Sequence, residues 1–524
     1  SVGLNSSEDN LILRCPMLNV TINPNPPIPT LPKVNDKTRL DVRYSLIQPF
    51  ANAHIYWDPE IGELIYDVEE PILDEGEKNA IKRLEDAMIE LINVNVVTEK
   101  TNDKMIEYID KTAKFLISEL NIKIKDESYE KIFYYLYRDF VGLNEFEPLL
   151  RDYFIEDIEC NGVDTPVYVV HRTYRNIRTT LKFKEIDKLG SFVEKLAQRC
   201  GKYVSYSEPL LDGTLPDGSR VNATYTQDIT SHGPTITIRK FTKVPWTPIQ
   251  LIALNTLSPE MLAYFWMLIQ YKSNIFIAGG TSSGKTTLLN AIAFFIPPGA
   301  RVISIEDTRE LMLPRENWIP AVARVSIGKG NVGEVDLFDL LKNSFRQNPN
   351  YVIVGEVRGK EAFVLFQGMA SGHPSISTMH ADSVDTLIKR LETPPIELSP
   401  TLVNSLDCVA IMSHAVVKNH ETRRLREIVE IVNAKEDGTA LVNTPFAWNA
   451  AQDLFYFKKE SKVFEKIAVR YGLSMQQLQM EFARRTKLLY TLYQKRVFDF
   501  EDVRKIITDY YRSPAEVMQK YGLQ

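Results

Sequence analysis

Cysteine is scarce in this sequence, with four among 524 residues. The four stand far apart, and none belongs to a CxxC pair, the spacing that zinc sites and dithiol redox motifs use. They are Cys15, Cys160, Cys200 and Cys408. We therefore expect reduced thiols in a cytoplasmic protein, with no zinc site and no disulfide framework.

Long apolar runs are also lacking. The most apolar helical stretch, Met261 to Ile269, covers nine residues, whereas a membrane-spanning helix needs about 20. The sequence does not open with the basic, apolar and small-residue segments of a secretory signal. We expect a chain that neither crosses a membrane by itself nor is secreted.

Neither sign of charge dominates the composition. Lys and Arg total 62, Asp and Glu total 68, and the formal net charge is -6. Such a chain has no overall attraction to a nucleic-acid backbone, so we expect no nucleic-acid partner. Hydrophobic residues make up 44% and charged residues 25%, which is typical of globular proteins. The length is enough for two or three domains.

Proline content and periodicity divide the first half of the chain. Residues 1–33 carry six prolines and predict a flexible or extended arm, because proline blocks helix formation. This arm is either a disordered tail or a strap that docks on a partner. Residues 34–242 predict an N-terminal α/β domain. Within it, apolar residues at three- and four-residue steps predict a helical bundle at about 74–141, and short strands with Gly and Asp turns predict a PAS-like mixed module at about 150–242.

The second half shows three further patterns. Residues 243–256 begin with a stretch containing two prolines and a tryptophan, and predict a linker. Residues 257–435 alternate short apolar strands with helices, which predicts an α/β core with a parallel sheet covered by helices. Residues 436–524 have helical periodicity and predict a helical C-terminal region.

A phosphate-binding motif stands at the start of the α/β core. Residues 279–286 read GGTSSGKT and match GxxxxGK(S/T) in full, after a short apolar strand and before an apolar helix. Glycines let backbone N–H groups turn toward phosphate oxygens, and the helix N-terminus adds a favourable dipole. We expect ATP to be bound by Gly280, Thr281, Ser282, Ser283, Gly284, Lys285, Thr286 and Thr287. The alternative is a Gly-rich turn without a ligand.

Two of these loop residues have specific expected roles. Lys285 should reach the β- and γ-phosphates, and the Thr286 hydroxyl should bind Mg²⁺. ATP and Mg²⁺ are therefore the expected cofactors.

Two further apolar strands end in acids, where ligand sites of parallel sheets lie. Residues 301–305 are followed by Glu306, Asp307 and then Glu310, and residues 351–354 are followed by Gly355 and Glu356. We expect Glu356 to activate the attacking water, with Glu310 in a supporting catalytic role. Glu306, Asp307 and Glu356 should help to hold Mg²⁺, partly through water. The alternative for each acid is helix capping or surface solvation.

Two of the seven histidines, His373 and His380, lie close together in GHPSISTMHA. His380 follows the predicted strand 375–379 and would stand at the same sheet edge as the acids. A histidine there is a structural residue or a sensor of the γ-phosphate.

Four ordered motifs resemble those of one known family. The segments GGTSSGKTT, ISIEDTREL, LLKNSFRQNPNYVIVGEVRGKEA and GHPSISTMHA resemble the Walker A, Asp box, Walker B and His box of the type II/IV secretion ATPases. The similarity continues upstream through IEDIECNG, LDGTLPDGSRVNATY and TITIRKF, and covers most of residues 130–435. In overall style the chain looks most like the archaeal branch, and specifically the archaellum motor ATPase.

The resemblance implies a RecA-like core and an assembly. The expected form is a cytoplasmic homohexamer, peripheral at the inner face of the cell membrane, which works with a polytopic membrane platform protein and cytosolic ring components. It also implies that Arg220 in GSRV and Arg239 in TIRKF approach the phosphates from the N-terminal domain. An interdomain or surface ion pair is the alternative for each arginine.

The chain departs from the family pattern at three places. Asn350 replaces an aspartate that many members carry. Gly355 leaves no aspartate beside Glu356, although the Gly-Glu pair is usual in this family. The four-cysteine zinc insertion of many bacterial type II secretion members has no counterpart after His380, which favours a subgroup other than the bacterial one.

The function expected from these observations is an ATP-hydrolysing hexameric motor that drives assembly and rotation of the archaellum. Type IV pilus assembly and type II secretion remain alternatives within the family. A nucleic-acid translocase or helicase is the alternative from another class, although no basic, aromatic-interleaved strand stands out. A scaffold that only binds nucleotide is the third.

Overall fold

The computed structural model describes residues 22–32, 36–91, 102–241, 244–324, 333–417, 420–435, 439–458 and 460–523. The chain divides into two compact units, Ser1–Phe241 and Thr242–Gln524. Each unit has its own sheet and its own hydrophobic core. Residues 1–21, which make up most of the predicted arm, lie outside the described part of the chain.

The described end of the proline-rich arm is extended against the first unit. Asn23 and Gln48 exchange two backbone hydrogen bonds of 2.9 Å in an isolated antiparallel bridge. The Tyr174 hydroxyl donates to the Pro32 carbonyl oxygen at 3.0 Å, and Ile22 packs on the core. This part of the arm therefore docks on its own unit.

Nine strands form one sheet in the described part of the first unit. They are β1 (Asp41–Ile47), β2 (Ala51–Asp58), β3 (Glu63–Glu69), β4 (Ile155–Cys160), β5 (Pro166–His171), β6 (Arg175–Lys182), β7 (Leu210–Thr214), β8 (Arg220–Thr224) and β9 (Thr235–Arg239). The order is β1-β2-β3-β6-β5-β4-β9-β8-β7, and all neighbours are antiparallel except β3 and β6. The sequence analysis missed β1–β3, whose alternating buried residues complete the same core as the strands after residue 150.

The helices of the first unit form two groups. The first group packs as a bundle around Leu84, Ile109 and Phe133, while the second contributes to the core of the sheet. The bundle consists of α1 (Glu75–Leu91), α2 (Asn102–Glu119) and α3 (Asp126–Leu136), and the sheet helices are α4 (Glu147–Arg151) and α5 (Ile186–Arg199).

The second unit has the RecA-like α/β core that the sequence predicts. Its six parallel strands run in the order β12-β11-β13-β14-β10-β15. In chain order the elements are α6 (Pro248–Ala253), α7 (Pro259–Gln270), β10 (Ile275–Gly279), α8 (Lys285–Ala293), β11 (Val302–Glu306), β12 (Trp318–Val322), α9 (Leu337–Ser344), β13 (Tyr351–Val357), α10 (Glu361–Ala370), β14 (Ser375–Met379), α11 (Val384–Glu392), α12 (Pro400–Val403) and β15 (Cys408–Val417).

The sheet continues beyond the predicted parallel strands with three antiparallel strands, which the sequence analysis did not predict. The added strands are β16 (His420–Ala434), β17 (Ala440–Asn449) and β18 (Leu454–Phe457). The prediction of a helical region from residue 436 was therefore wrong up to Phe457, because Phe446 and Ala447 of β17 pair with strands on both sides. Helices follow as α13 (Lys462–Tyr471), α14 (Met475–Gln494), α15 (Phe500–Arg512) and α16 (Pro514–Lys520).

The predicted linker at 243–256 is too long at its C-terminal end. Thr247 and Gln250 form a capping box at the start of α6, and Ile249 and Leu251 are buried in the core of the second unit. Pro248 occupies the first helical turn, where proline starts a helix rather than interrupting one. The proline was thus misread as a linker residue.

Helix α7 is apolar on all sides because it is a core helix. Every residue from Met261 to Ile269 is buried, and α7 shares one hydrophobic cluster with α8, α14 and α15. Arg485 of α14 is buried as well, with its guanidinium 4.8 Å from the centre of the Trp266 ring. The C-terminal helices are therefore part of the core. Among the described residues, no helix is both long and apolar enough to span a membrane.

A buried carboxylate joins the sheet extension to the helices. Glu430 of β16 accepts hydrogen bonds at Oε1 from the hydroxyls of Tyr264, at 2.6 Å, and Ser461, at 2.5 Å. Its Oε2 accepts from the Asn443 side-chain amide and the Lys462 backbone N–H, both at 2.7 Å. Four donors from α7, β17 and the start of α13 thus converge on one side chain, which compensates its burial.

We predict that Glu430→Gln lowers the free energy of unfolding of the second unit by about 2–4 kcal/mol. The amide replaces one acceptor oxygen with a donor, so two of the four donors lose their acceptor. Denaturant unfolding followed by tryptophan fluorescence measures the change. Glu465→Gln is the matched control, because Glu465 forms an exposed ion pair with Lys462 and should change stability by less than about 0.5 kcal/mol. Equal effects of the two variants would contradict the structural role of Glu430.

Candidate active site

The phosphate-binding loop joins β10 to α8 and is closely packed. Gly284 precedes the helix with φ 93°, a left-handed conformation that glycine adopts without strain. A Cβ on Gly279 would lie 2.5 Å from Ser283 Oγ and 2.6 Å from the Met412 carbonyl oxygen. Ser283 Oγ donates to the Gly280 carbonyl oxygen at 2.9 Å. Gly279 is therefore required by the close approach of β15 and Ser283, and Gly284 by the backbone path.

Lys285 begins α8 and folds back toward the loop. Its Nζ donates to the carbonyl oxygens of Gly279, at 3.2 Å, and Gly280, at 2.9 Å. Partial burial lowers the pKa of Lys285, and the nearby Glu356 carboxylate opposes this shift. Thr286 follows in the first turn of α8 and is half-buried, as is Thr287. An ammonium held by loop carbonyls can exchange these acceptors for phosphate oxygens.

His380 stands where the sequence predicts, immediately after β14. Its Nε2 lies 3.0 Å from Thr281 Oγ1 of the phosphate-binding loop. The structure thus brings two sequence motifs, 99 positions apart, into hydrogen-bond contact. His373 lies elsewhere, with its ring 5.0 Å from that of Phe345 in an edge-on arrangement.

Glu306 ends β11 as a buried carboxyl group, with 2% of its surface exposed. Its Oε1 accepts the backbone N–H groups of Glu310 and Leu311, each at 2.9 Å. Its Oε2 is buried and has no hydrogen-bond partner in the described part of the chain. Burial raises the pKa of Glu306 to about 7, although the two backbone hydrogen bonds act to lower it. Glu306 can therefore carry a proton near neutral pH.

Glu356 lies in β13 and has the opposite electrostatic character. Burial acts to raise the pKa of Glu356, but the Arg358 guanidinium, Lys285 and His380 outweigh it and hold that pKa below its usual value. Glu356 Oε2 accepts from Arg358 Nη2 at 2.7 Å. Arg358 Nη1 also lies 3.6 Å from Asp307 Oδ2. Glu356 is thus ionised and lies within electrostatic reach of Lys285.

Glu310 is exposed beside the same site. Its charge acts to raise the pKa of Lys285, and its backbone carbonyl oxygen accepts from the Asn290 side-chain amide at 3.3 Å. The loop from Glu306 to Glu310 therefore stays at the edge of the sheet where the phosphate-binding loop lies.

The structure explains the two departures near β13. A Cβ on Gly355 would lie 3.0 Å from Cγ of Glu306, so Glu306 on the adjacent strand crowds the position where an aspartate would stand. Asn350 Oδ1 accepts the Arg301 backbone N–H at 2.8 Å and so links the starts of β13 and β11.

Arg220 and Arg239 lie in the first unit, on adjacent strands. They are direct partners in the β8–β9 register, so both side chains stand on one face of the sheet. Arg220 pairs with Asp212 at 3.3 Å and Arg239 with Asp157 at 3.2 Å, and both guanidinium groups are exposed. The two arginines predicted to approach phosphate are therefore neighbours.

Two functional side chains were missed by the sequence analysis. Arg358 contacts Glu356 and Asp307, and its place two residues after the Walker B glutamate could have indicated this. Arg423 of β16 donates from Nε to the Ser282 carbonyl oxygen at 2.9 Å across 141 positions. No local pattern indicates a contact of that range.

Comparison with known proteins places the chain in a family. The model of the type II/IV secretion system proteins matches residues 146–452, more than half of the chain. The chain belongs to the type II/IV secretion ATPase superfamily. An uncharacterized protein of Methanocaldococcus jannaschii is 36% identical over 444 residues, which cover 83% of this chain and 79% of the relative. This archaeal relative fits the archaeal branch of the superfamily.

Other similarities cover less of the chain. The type IV secretion system protein PtlH of Bordetella pertussis is 33% identical over 229 residues, covering 39% of this chain and 67% of PtlH. Among solved structures, the ATPase DotB of Legionella pneumophila matches 68% of this chain and 92% of its own, with 17% identity and a TM-score of 0.39.

The side chains at this site fit a Mg²⁺ ion that is held by few protein oxygens. Magnesium in phosphate-binding sites takes one or two protein oxygens, phosphate oxygens and several waters. Thr286 offers a hydroxyl in the first turn of α8, and the unpartnered Oε2 of Glu306 is suited to accept from a metal-bound water. In the described residues, no three His, Cys, Asp or Glu side chains are grouped as a metal cage. Asp307 and Glu356, which are also expected to help hold Mg²⁺, both contact Arg358, and their role at the metal stays a prediction.

We predict that Glu306 makes the free energy of unfolding of the second unit depend on pH. A folded pKa of about 7, against an ordinary 4.5, means that the stabilising contribution is complete below pH 4.5 and is lost as the pH rises through 7. The loss amounts to at most about 3 kcal/mol. Glu306→Gln cannot titrate, so its stability relative to wild type should increase from pH 5 to pH 8.

Denaturant unfolding at several pH values measures this difference. Glu316→Gln is the matched control, because Glu316 is exposed and is not among the groups that shift the pKa of Glu306, so the pH dependence of stability should stay unchanged. Parallel stability profiles for wild type and Glu306→Gln would contradict the prediction.

Proposed function

We propose that this chain is a Mg²⁺-dependent ATPase that works as a hexameric motor and drives assembly and rotation of the archaellum. The observation that carries the ATPase is the meeting of Lys285, Glu356 and His380 at one edge of a RecA-like sheet. Membership of the secretion ATPase superfamily supports it.

The chemistry follows from the charges at this edge. Lys285 neutralises the β- and γ-phosphates, while the ionised Glu356 orients a water and accepts its proton as the water attacks the γ-phosphate. Arg358 keeps Glu356 ionised and sets its direction. Bound Mg²⁺ supplies charge neutralisation on the phosphate oxygens, with Thr286 as its protein ligand.

His380 is suited to report the state of the γ-phosphate. Its hydrogen-bond contact with Thr281 joins the end of β14 to the loop that holds the phosphates. Because an imidazole can donate or accept, loss of the γ-phosphate changes the partners available to it. The loop after β14 would then respond to hydrolysis.

Arg220 and Arg239 supply positive charge from the first unit during turnover. Both guanidinium groups are exposed and paired with single carboxylates, and exposed ion pairs are weak, of the order of 0–1 kcal/mol. Either arginine can therefore exchange its carboxylate for a phosphate oxygen at low cost. Movement that brings the two arginines to the nucleotide would couple hydrolysis to mechanical work.

The archaellum pathway is favoured by two observations. A relative covering most of the chain is archaeal, and the sequence lacks the four-cysteine insertion after His380. Type IV pilus assembly and protein secretion use the same chemistry, and the similarity to PtlH keeps the secretion pathway as the alternative. In each pathway the homohexamer would lie at the inner face of the membrane, on a platform protein and beside cytosolic ring components.

We predict that Glu356→Gln lowers the ATP turnover number by about a hundredfold or more, because it removes the proton acceptor. ATP binding should persist, since Lys285 and the loop are intact. Phosphate release measures turnover, and a fluorescent ATP analogue measures binding. Lys285→Ala should abolish binding, and Glu260→Gln is the matched control on an exposed glutamate of α7. Turnover near the wild-type value in Glu356→Gln would remove Glu356 from its role.

The pathway is tested by partner capture with the same variant. Glu356→Gln held with Mg-ATP should retain the membrane platform and ring proteins of an archaellum, whereas Lys285→Ala should not. Mass spectrometry of the co-purified proteins gives the answer. A pilus or secretion platform would keep the motor and change the pathway. Recovery of nucleic acid alone, with salt-dependent stimulation of the ATPase, would replace the motor with a translocase.

A further inference from the structure

Arg423 touches the phosphate-binding loop from outside the four family motifs. Its Nε donates to the Ser282 carbonyl oxygen at 2.9 Å. Its Cδ lies 3.2 Å from the position that a Cβ on Gly284 would take, with the Met412 Cε next nearest at 3.4 Å. Arg423 therefore forms one hydrogen bond to the loop backbone, and its side chain fills the space beside Gly284.

A second arginine of β16, Arg426, contacts the loop that follows β14 and contains His380. Arg426 Nη2 donates to the Asp382 carbonyl oxygen at 2.9 Å, two residues after His380. In a regular strand, residues three positions apart point to opposite faces. The register with β15 shifts between Ile411 and Met412, which pair with Glu427 and Leu425, so Arg426 is the extra residue of a bulge. A bulge re-aims its side chain.

Between them, Arg424 anchors the strand. Arg424 is buried and pairs with both carboxylate oxygens of Asp453, at 2.8 and 3.0 Å. This bidentate pair ties β16 to the turn between β17 and β18. The Arg424 guanidinium lowers the pKa of Asp453 to about 2. Arg423 and Arg426 therefore project from a strand that the Arg424–Asp453 pair holds in place.

We propose that Arg423 and Arg426 are positioning residues, through which β16 fixes the phosphate-binding loop and the loop after His380 at the same time. The proposal rests on the nucleotide-binding role given above. Neither arginine needs to contact the reacting atoms, since each acts on a backbone carbonyl.

Peptide geometry explains how Arg423 acts. In a trans peptide the carbonyl oxygen and the following N–H point in opposite directions within one plane. A hydrogen bond that holds the Ser282 carbonyl toward β16 therefore turns the Ser283 N–H away from β16. Backbone N–H groups of such loops bind phosphate. In this structure the Ser283 N–H donates to the Gly280 carbonyl oxygen at a long 3.4 Å. Arg423 would thus hold the Ser283 N–H in a direction from which it can exchange this acceptor for a phosphate oxygen.

The test combines nucleotide affinity with local hydrogen exchange. We expect Arg423→Ala to weaken Mg-ADP binding about tenfold, the effect of losing one charge-assisted hydrogen bond, and to speed amide exchange in residues 280–285. The KM for ATP should rise by a similar factor, while kcat changes less than about threefold. Arg423→Lys keeps a donor and should recover part of the affinity.

Arg426→Ala supplies the reciprocal test. It should speed exchange in residues 380–384 and leave residues 280–285 unchanged. Arg470→Ala is the matched control, because Arg470 is an exposed arginine in the last turn of α13. That variant should change neither affinity nor exchange at the two loops.

The outcomes separate this inference from the proposed function. Wild-type chain that binds no Mg-ADP would overturn both. Wild-type binding with unchanged affinity and exchange in Arg423→Ala would overturn the inference alone. Faster exchange throughout the second unit, without recovery in Arg423→Lys, would assign Arg423 a general structural role and also overturn it.

Discussion

The packing of β15 against the phosphate-binding loop is the constraint on which the site depends. A side chain on Gly279 would collide with Ser283 and with the Met412 carbonyl oxygen. The start of the loop therefore has little space in which to rearrange, and its path there is set by the neighbouring strand. Because β15 also pairs with β16, the strand that carries Arg423 is held at a fixed distance from the same loop.

The acids at the sheet edge are divided by their surroundings. Burial without a cation in direct hydrogen-bond contact raises the pKa of Glu306 to about 7, whereas Arg358 keeps the pKa of Glu356 low. Two glutamates on adjacent strands can thus differ in protonation at neutral pH. Gly355 contributes to this difference, because its missing side chain leaves room for Glu306. The site thus contains one carboxyl group that can carry a proton near neutral pH and one ionised carboxylate that can accept a proton from another group.

The sequence predicts which residues meet at the sheet edge better than it predicts the architecture around them. The phosphate loop and the acids and histidine at strand ends are local patterns, and parallel strands bring such ends together. Strands β17 and β18 were missed because the periodicity of residues 436–524 was interpreted as helical throughout. Helix α6 was missed because Pro248 also fits a linker. Contacts such as that of Arg423 with Ser282, 141 positions apart, depend on strand register, which no local pattern contains.

Strand β16 connects two regions that the sequence analysis kept separate. Near one end Arg423 and Arg426 hold the nucleotide loops, and seven positions beyond Arg423, Glu430 collects hydrogen bonds from α7, β17 and the start of α13. Seven residues of strand span about 23 Å. A strand paired on both sides resists bending, so a displacement of the C-terminal helices at Glu430 must either break that hydrogen-bond cluster or move the strand. In the proposed motor, this gives the C-terminal helices a direct path to the phosphate-binding loop, and the path runs through one strand rather than through the family motifs.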